Sequence, residues 1–257
     1  TTLNFNLSRL VGPAIGGILI SQIGPIQTLW VTSLGFLPMI FLIQKISIRP
    51  RDTQTKMEQR FSDALKEGFL FTKKEPFLLY VFGLTICVTV LGRGLLETLP
   101  IIAQGVFKSG PNELGLLTAG AGAGAIVASF VKAFGKPQQK GKIGLLGAVC
   151  SILVPISIIM IGFSNNFFLT LGIVVLIGFF VTFFATTMIS AAQLQLTDEF
   201  RGRVMSLWTM TAMGGGALGA LLLGLMSETF GISATFIILG GLTTLITAII
   251  LFFARSN

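Results

Sequence analysis

Histidine is absent from the 257 residues, and charged side chains make up only 11% of them. Without histidine, neither a His-based metal site nor a histidine-containing catalytic triad can be assembled. A soluble domain carries roughly 25% charged residues, so the shortage of charge excludes an ordinary water-soluble fold. No paired carboxylates or nucleophile constellation emerges, so we expect no enzyme activity, no metal and no cofactor. The two cysteines, Cys87 and Cys150, both fall inside apolar runs and read as reduced, packed thiols. No signal peptide is visible in these residues. The chain opens Thr-Thr inside a helical pattern, which leads us to expect a fragment or a trimmed chain.

What is present is apolar. Hydrophobic residues account for 53% of the sequence and mean hydropathy is +0.87. Runs of about 20 apolar residues are long enough to cross a bilayer as helices. We expect an all-α polytopic transmembrane helix bundle with eight spans, near 3–22, 26–43, 77–103, 113–133, 143–162, 167–190, 203–226 and 232–254. Pro13, Pro38 and Pro155 fall within spans and mark bends, tolerated where neighbouring helices satisfy the freed backbone groups. Gly115, Gly120, Gly122 and Gly124 in one span, and Gly214 to Gly216, Gly219 and Gly224 in another, predict close helix approach.

The net charge of +8 is not spread evenly. Loops 44–76, 132–142 and 191–203, with the C-terminal tail, hold 15 of the 18 Lys and Arg. This asymmetry argues against a nucleic-acid partner. It predicts an integral plasma (bacterial inner) membrane protein with its charged loops and C-terminus in the cytoplasm. The longest polar stretch, Gln44 to Pro76, reads as a linker between two bundles. Within it Met57, Phe61, Ala64, Leu65 and Gly68 recur at helical spacing, predicting a short amphipathic helix on the membrane surface. The implied division is 1–43, two helices of one bundle; 44–76, a cytoplasmic linker; and 77–257, a six-helix bundle. Sliding the chain by 207 residues pairs the first two spans with the last two. Gly12, Gly17, Gly24 and Thr28 then meet Gly219, Gly224, Gly231 and Thr235. Transporters are often built from such parallel halves, and four helices would then precede Thr1.

Ionisable residues within spans are functional candidates. Arg93 and Glu97, spaced i, i+4, share a helix face and can pair. A plain pair near the outer interface is one reading. A gating or proton-coupling pair is the other, in which separating the two in a dry cavity lets Glu97 take up a proton. Arg9 lacks an acidic partner in its own or the neighbouring span and either faces a polar cavity or reaches to the interface. Asp198, Glu199, Arg201 and Arg203 place opposite charges beside a helix start, as a cytoplasmic latch or as plain helix-terminus acids. Thr85, Thr89, Thr182, Thr186 and Thr187 either line a mildly polar cavity or bond their own helix backbones.

Arg9-Leu-Val-Gly12-Pro13-Ala-Ile-Gly16-Gly17 resembles the antiporter motif in the fifth helix of major facilitator superfamily exporters, Gly-Pro-x-x-Gly-Gly. Ser8 stands where that motif carries an earlier glycine. Arg201-Gly202-Arg203-Val204-Met205-Ser206-Leu207 and the Gly-rich helix after it resemble the tenth-to-eleventh connection of the enterobactin-exporter and macrolide-exporter-like branch. The signature cytoplasmic loop of the superfamily has a degenerate counterpart near Gly135-Lys136 and Gly141-Lys142. The resemblance implies a major facilitator fold lacking its first four helices. It further implies proton-driven export of a small amphipathic molecule by alternating access, with Gly12, Pro13, Gly16 and Gly17 limiting proton leak. The alternatives are a facilitator-type importer or uniporter on the same fold, and a membrane scaffold or sensor. Expected partners are the bilayer, protons and a small-molecule substrate; oligomeric state is left open.

Overall fold

The computed structural model describes residues 15, 19–20, 22–45, 61–108, 110–135 and 137–256. Among them there is no strand, and seven helical segments are long and apolar enough to cross a membrane. The first expected span lies almost wholly outside the described residues, as do Arg9, Gly12, Pro13, Gly16, Gly17 and Met57.

The helices are α1 (Pro25–Leu34), α2 (Leu37–Lys45), α3 (Phe61–Lys74), α4 (Pro76–Val88), α5 (Gly94–Glu97), α6 (Leu99–Gly105), α7 (Pro111–Phe134), α8 (Leu145–Gly162), α9 (Phe167–Gln195), α10 (Asp198–Phe230) and α11 (Ile232–Ser256). A π-helical turn, Thr89–Arg93, joins α4 to α5. Pro38 does not bend a continuous helix. It occupies the second position of α2, just after a turn at Gly35–Phe36, where a missing N–H costs nothing. Pro155 does lie inside α8, and Gly240 of α11 packs so close to its carbonyl that a Cβ there would stand 3.1 Å away.

The expected third span, 77–103, is interrupted twice. Thr89 donates its hydroxyl to the Thr85 carbonyl at 2.7 Å, competing with the backbone ladder where the π turn begins. Gly92 in that turn is wedged between Val154 and Val181, at 2.6 and 2.8 Å from a would-be Cβ. The second break is Thr98, with φ −97° and ψ 9°, just before Pro100 restarts the helix as α6. Even so, Leu78, Val81, Leu84, Val88, Leu91, Leu95 and Leu99 form one inward stripe at helical spacing, each at most 2% exposed. The core closes around it with Leu117, Val154, Ile158, Ile177, Phe184 and Met188.

Small residues set the helix order. Gly124 of α7 lies against the Val175 carbonyl of α9, and Gly178 of α9 lies against the Ala121 carbonyl of α7, so this pair meets backbone to backbone. On α10, Gly215 meets Thr89, Gly216 meets the Arg93 stem and Gly219 meets the Val90 carbonyl. Gly214 and Gly224 have nothing within 4 Å of a would-be Cβ, so they serve no close approach among the described residues.

The 207-residue repeat has a geometric counterpart. Gly24 and Gly231 both take positive φ, 84° and 80°, at the turn before α1 and α11. Four residues on, Thr28 and Thr235 each donate a hydroxyl back to that glycine's carbonyl at 2.8 Å. Both threonines are buried. Only a glycine takes that φ without strain, so the two turns need the same residue for the same reason.

Candidate functional site

Two of the residue groups singled out above come together on α10. The first is at the level of the π turn. Arg93 Nε stands 3.9 Å from Glu97 Oε1, and the two side chains are 35% and 57% exposed. The i, i+4 pairing therefore forms, as a single long contact on an open face rather than a desolvated bridge. Such a pair contributes about 0–1 kcal/mol, so it can part at little cost. Its setting is more constrained than the pair itself. Arg93 ends the π turn, and its Cδ would lie 2.8 Å from a Cβ on Gly216. The arginine stem thus rests on α10 because Gly216 carries no side chain.

The second group is the start of α10. Arg203 Nη1 binds Glu67 Oε2 of α3 at 2.9 Å. Its guanidinium carbon also lies 5.5 Å from the Phe200 ring centroid. Phe200 stacks on Phe71 of α3, centroids 4.5 Å apart and 16° from parallel. Gly68 lets α3 approach, with a would-be Cβ 3.1 Å from Leu207 and 3.2 Å from the Arg203 backbone. A helix is present here at Phe61–Lys74, where one was expected around Met57–Gly68, and its Gly68 face lies against α10. A cleft of about 360 Å³ beside this junction is lined by Glu67, Phe71, Lys74, Glu199, Phe200 and Arg203. Arg201 is exposed, and Asp198 opens the helix. Sequence reasoning singled out Arg203 but not Glu67, Phe71 or Phe200 as its partners. No local signal marks two phenylalanines among 23 as a pair separated by more than a hundred residues.

The threonines behave mostly as helix residues. Thr85 donates to the Val81 carbonyl at 2.7 Å, and Thr186 donates to the Thr182 carbonyl at 2.9 Å. Thr85 and Thr89 are buried, and Thr182 and Thr186 half-buried. Phe179 and Phe183 stack one turn apart on α9, centroids 5.9 Å apart. Cys87 and Cys150 are both free thiols. Among the described residues no group of three Cys, Asp or Glu side chains comes within reach of a common ion.

The chain resembles transporters along its whole length. It is 25% identical over 253 residues to the multidrug efflux pump Tap of Mycolicibacterium fortuitum, covering 98% of this chain and 61% of that one. It is 27% identical to the staphyloferrin A transporter of Staphylococcus aureus, covering 97% and 62%. With the enterobactin exporter EntS of Shigella flexneri it shares 24% identity, covering 87% and 52%. The chain thus spans only about half to three-fifths of the length of the curated relatives it matches. These relatives are transporters, not enzymes. A family model described as transmembrane secretion effector matches residues 1–256, and the chain belongs to that family of the major facilitator superfamily.

Proposed function

We propose that this chain belongs to a secondary active exporter of small amphipathic molecules, of drug or siderophore type, working by proton antiport and alternating access. The observation that carries the proposal is the family match over residues 1–256, with relatives named as efflux pump and siderophore exporter. In this reading residues 1–43 close one half of the transporter, 44–76 link the halves and 77–257 form the second half. The matching Gly24 and Gly231 turns support two related halves. The charged loops and the C-terminus face the cytoplasm of a bacterial inner membrane, as the Lys and Arg distribution favours.

Substrate binds near the midplane between halves. The Arg93–Glu97 pair is the coupling element. It sits at the end of a π turn, a feature frequent at functional sites. Movement of α10, whose Gly216 carries the Arg93 stem, against the π turn would draw Arg93 from Glu97, leaving the carboxylate to accept a proton. Gly12, Pro13, Gly16 and Gly17 carry the leak-limiting role that the antiporter motif implies, and Arg9, Thr85, Thr89, Thr182 and Thr186 are the candidates for the cavity. At the cytoplasmic end, Asp198, Glu199, Arg201 and Arg203 form a latch, in which the Arg203–Glu67 bond and the Phe71–Phe200 stack tie the linker helix to α10.

The test uses cells carrying the intact gene, with and without a proton uncoupler, comparing wild type and Glu97→Gln at matched expression. Efflux of a fluorescent amphipathic dye should be uncoupler-sensitive and fall at least tenfold in Glu97→Gln. Uncoupler-sensitive efflux that survives the substitution removes Glu97 from the coupling role. Uptake in place of efflux, or no flux of dye or siderophore, defeats the exporter assignment.

A further inference from the structure

Lys132 lies in the last turn of α7, where a span ends and a lysine would ordinarily reach outward into water. Its ammonium turns into the protein. Nζ donates to Thr187 Oγ1 at 3.2 Å and stands 5.6 Å from the Phe183 ring centroid. Both of these partners are buried and neutral. Among the described residues no carboxylate lies within ion-pair distance of Lys132.

The ammonium borders a cavity of about 600 Å³ between the ends of α7 and α9, the start of α8 and the loop joining α7 to α8. That size lies within the roughly 300–1,000 Å³ of small-ligand sites. Lys142 is a second cation in its lining, and among the described residues no Asp or Glu lines it. The loop is held by the Gln138 side-chain amide, which donates to the carbonyls of Gln139 and Lys142, and turns at Gly141 with φ 70°. Leu145 and Leu146 also line the cavity and are exposed, so one flank is apolar and open where α8 begins. Cations stand beside exposed leucines at the depth where two spans end. This is the chemistry of an anion with an apolar tail at a membrane surface, and basic pockets between helices at that depth take lipid headgroups.

We propose that this cavity binds the phosphate headgroup of an anionic lipid, its acyl chains running along Leu145 and Leu146. Free phosphate shares the headgroup chemistry but has no use for the apolar flank. The site is independent of whether the protein exports, imports or moves nothing.

The experiment purifies the complete chain in detergent holding equal mole fractions of phosphatidylglycerol and phosphatidylcholine, and counts retained lipid by native mass spectrometry. Phosphatidylglycerol should be retained preferentially, with the preference falling roughly fivefold in Lys132→Gln and again in Lys142→Gln. Lys132→Arg should keep it, and Lys108→Gln, at the other end of α7, should leave it unchanged. Lys142 is exposed, so Lys142→Gln carries the test should Lys132→Gln fail to fold. Equal retention of both lipids, or an unchanged preference in the double variant, overturns the site. A rise in unfolding temperature with inorganic phosphate in lipid-free detergent, without lipid preference, overturns the lipid assignment.

Discussion

The spans Ile26–Ile43 and Pro76–Glu97 have the same mean hydropathy, yet 6% of the first and 56% of the second is buried inside the protein. Apolarity qualifies both to leave water and says nothing about what replaces it. For Pro76–Glu97 the replacement is protein: α8, α9, α10 and α11 all pack against α4 or the π turn. For Ile26–Ile43 nearly every side chain is outward among the described residues, including Trp30 at 73% exposure, in a chain that spans only about half to three-fifths of its relatives' length. The same contrast recurs within α10. Gly215, Gly216 and Gly219 meet the π turn and α5, whereas Gly214 and Gly224 have no neighbour within 4 Å among the described residues. Burial in a membrane protein is decided helix face by helix face, because lipid is as good an apolar neighbour as leucine.

The sharpest way to break this comparison is overpacking. Gly219→Leu drives a side chain into the Val90 carbonyl and should cost about 3 kcal/mol or more, read as a lost or strongly lowered unfolding midpoint in detergent. Leu29→Ala on the open span, at 68% exposure, should stay within about 0.5 kcal/mol. Similar costs for the two would end the distinction. Next in size is the linker junction. Phe71→Ala should destabilise by about 2 kcal/mol, and a double-mutant cycle with Phe200→Ala should return about 1 kcal/mol of coupling.

Within α10, Gly214→Ala should stabilise by about 0.5 kcal/mol, since alanine is the better helix former and has room. Gly215→Ala, facing Thr89, should destabilise; equal effects would show that both glycines see the same surroundings. The smallest effect belongs to the Arg203–Glu67 bond. The side chains are 23% and 41% exposed, so a cycle between Glu67→Gln and Arg203→Gln should give about 0.5 kcal/mol, shrinking as salt is raised. Coupling that ignores salt would mean that packing, not charge, joins α3 to α10.

Much of the fold was legible beforehand. The expected spans 113–133, 143–162, 167–190 and 232–254 reappear as α7, α8, α9 and α11 within a few residues, because length and hydropathy alone define a membrane helix. The expected start of α10 at 203 came five residues late: Asp198, Glu199, Arg201 and Arg203 are polar enough to mimic a loop, yet they are helical. The breaks in 77–103 were not legible. A π turn arises from Thr89 bonding backward and Gly92 wedged against other helices, and neither fact has a periodicity. For the site, the Arg93–Glu97 spacing was visible because both residues share one helix. The Arg203–Glu67 bond, the Phe71–Phe200 stack and the inward Lys132 were not, because each joins segments distant in the chain.

The sequence by itself determined that this is a helical, multi-pass membrane protein with most of its cations between the apolar spans, since those properties follow from the solvent each segment tolerates. It also carried the correspondence of Gly24 with Gly231, since a turn with positive φ favours glycine at both places. Only the tertiary structure decided which glycines serve close packing, where the linker helix rests and which lysine turns inward. Those outcomes depend on what stands opposite each side chain, and one-dimensional patterns record what a residue is, not what it meets.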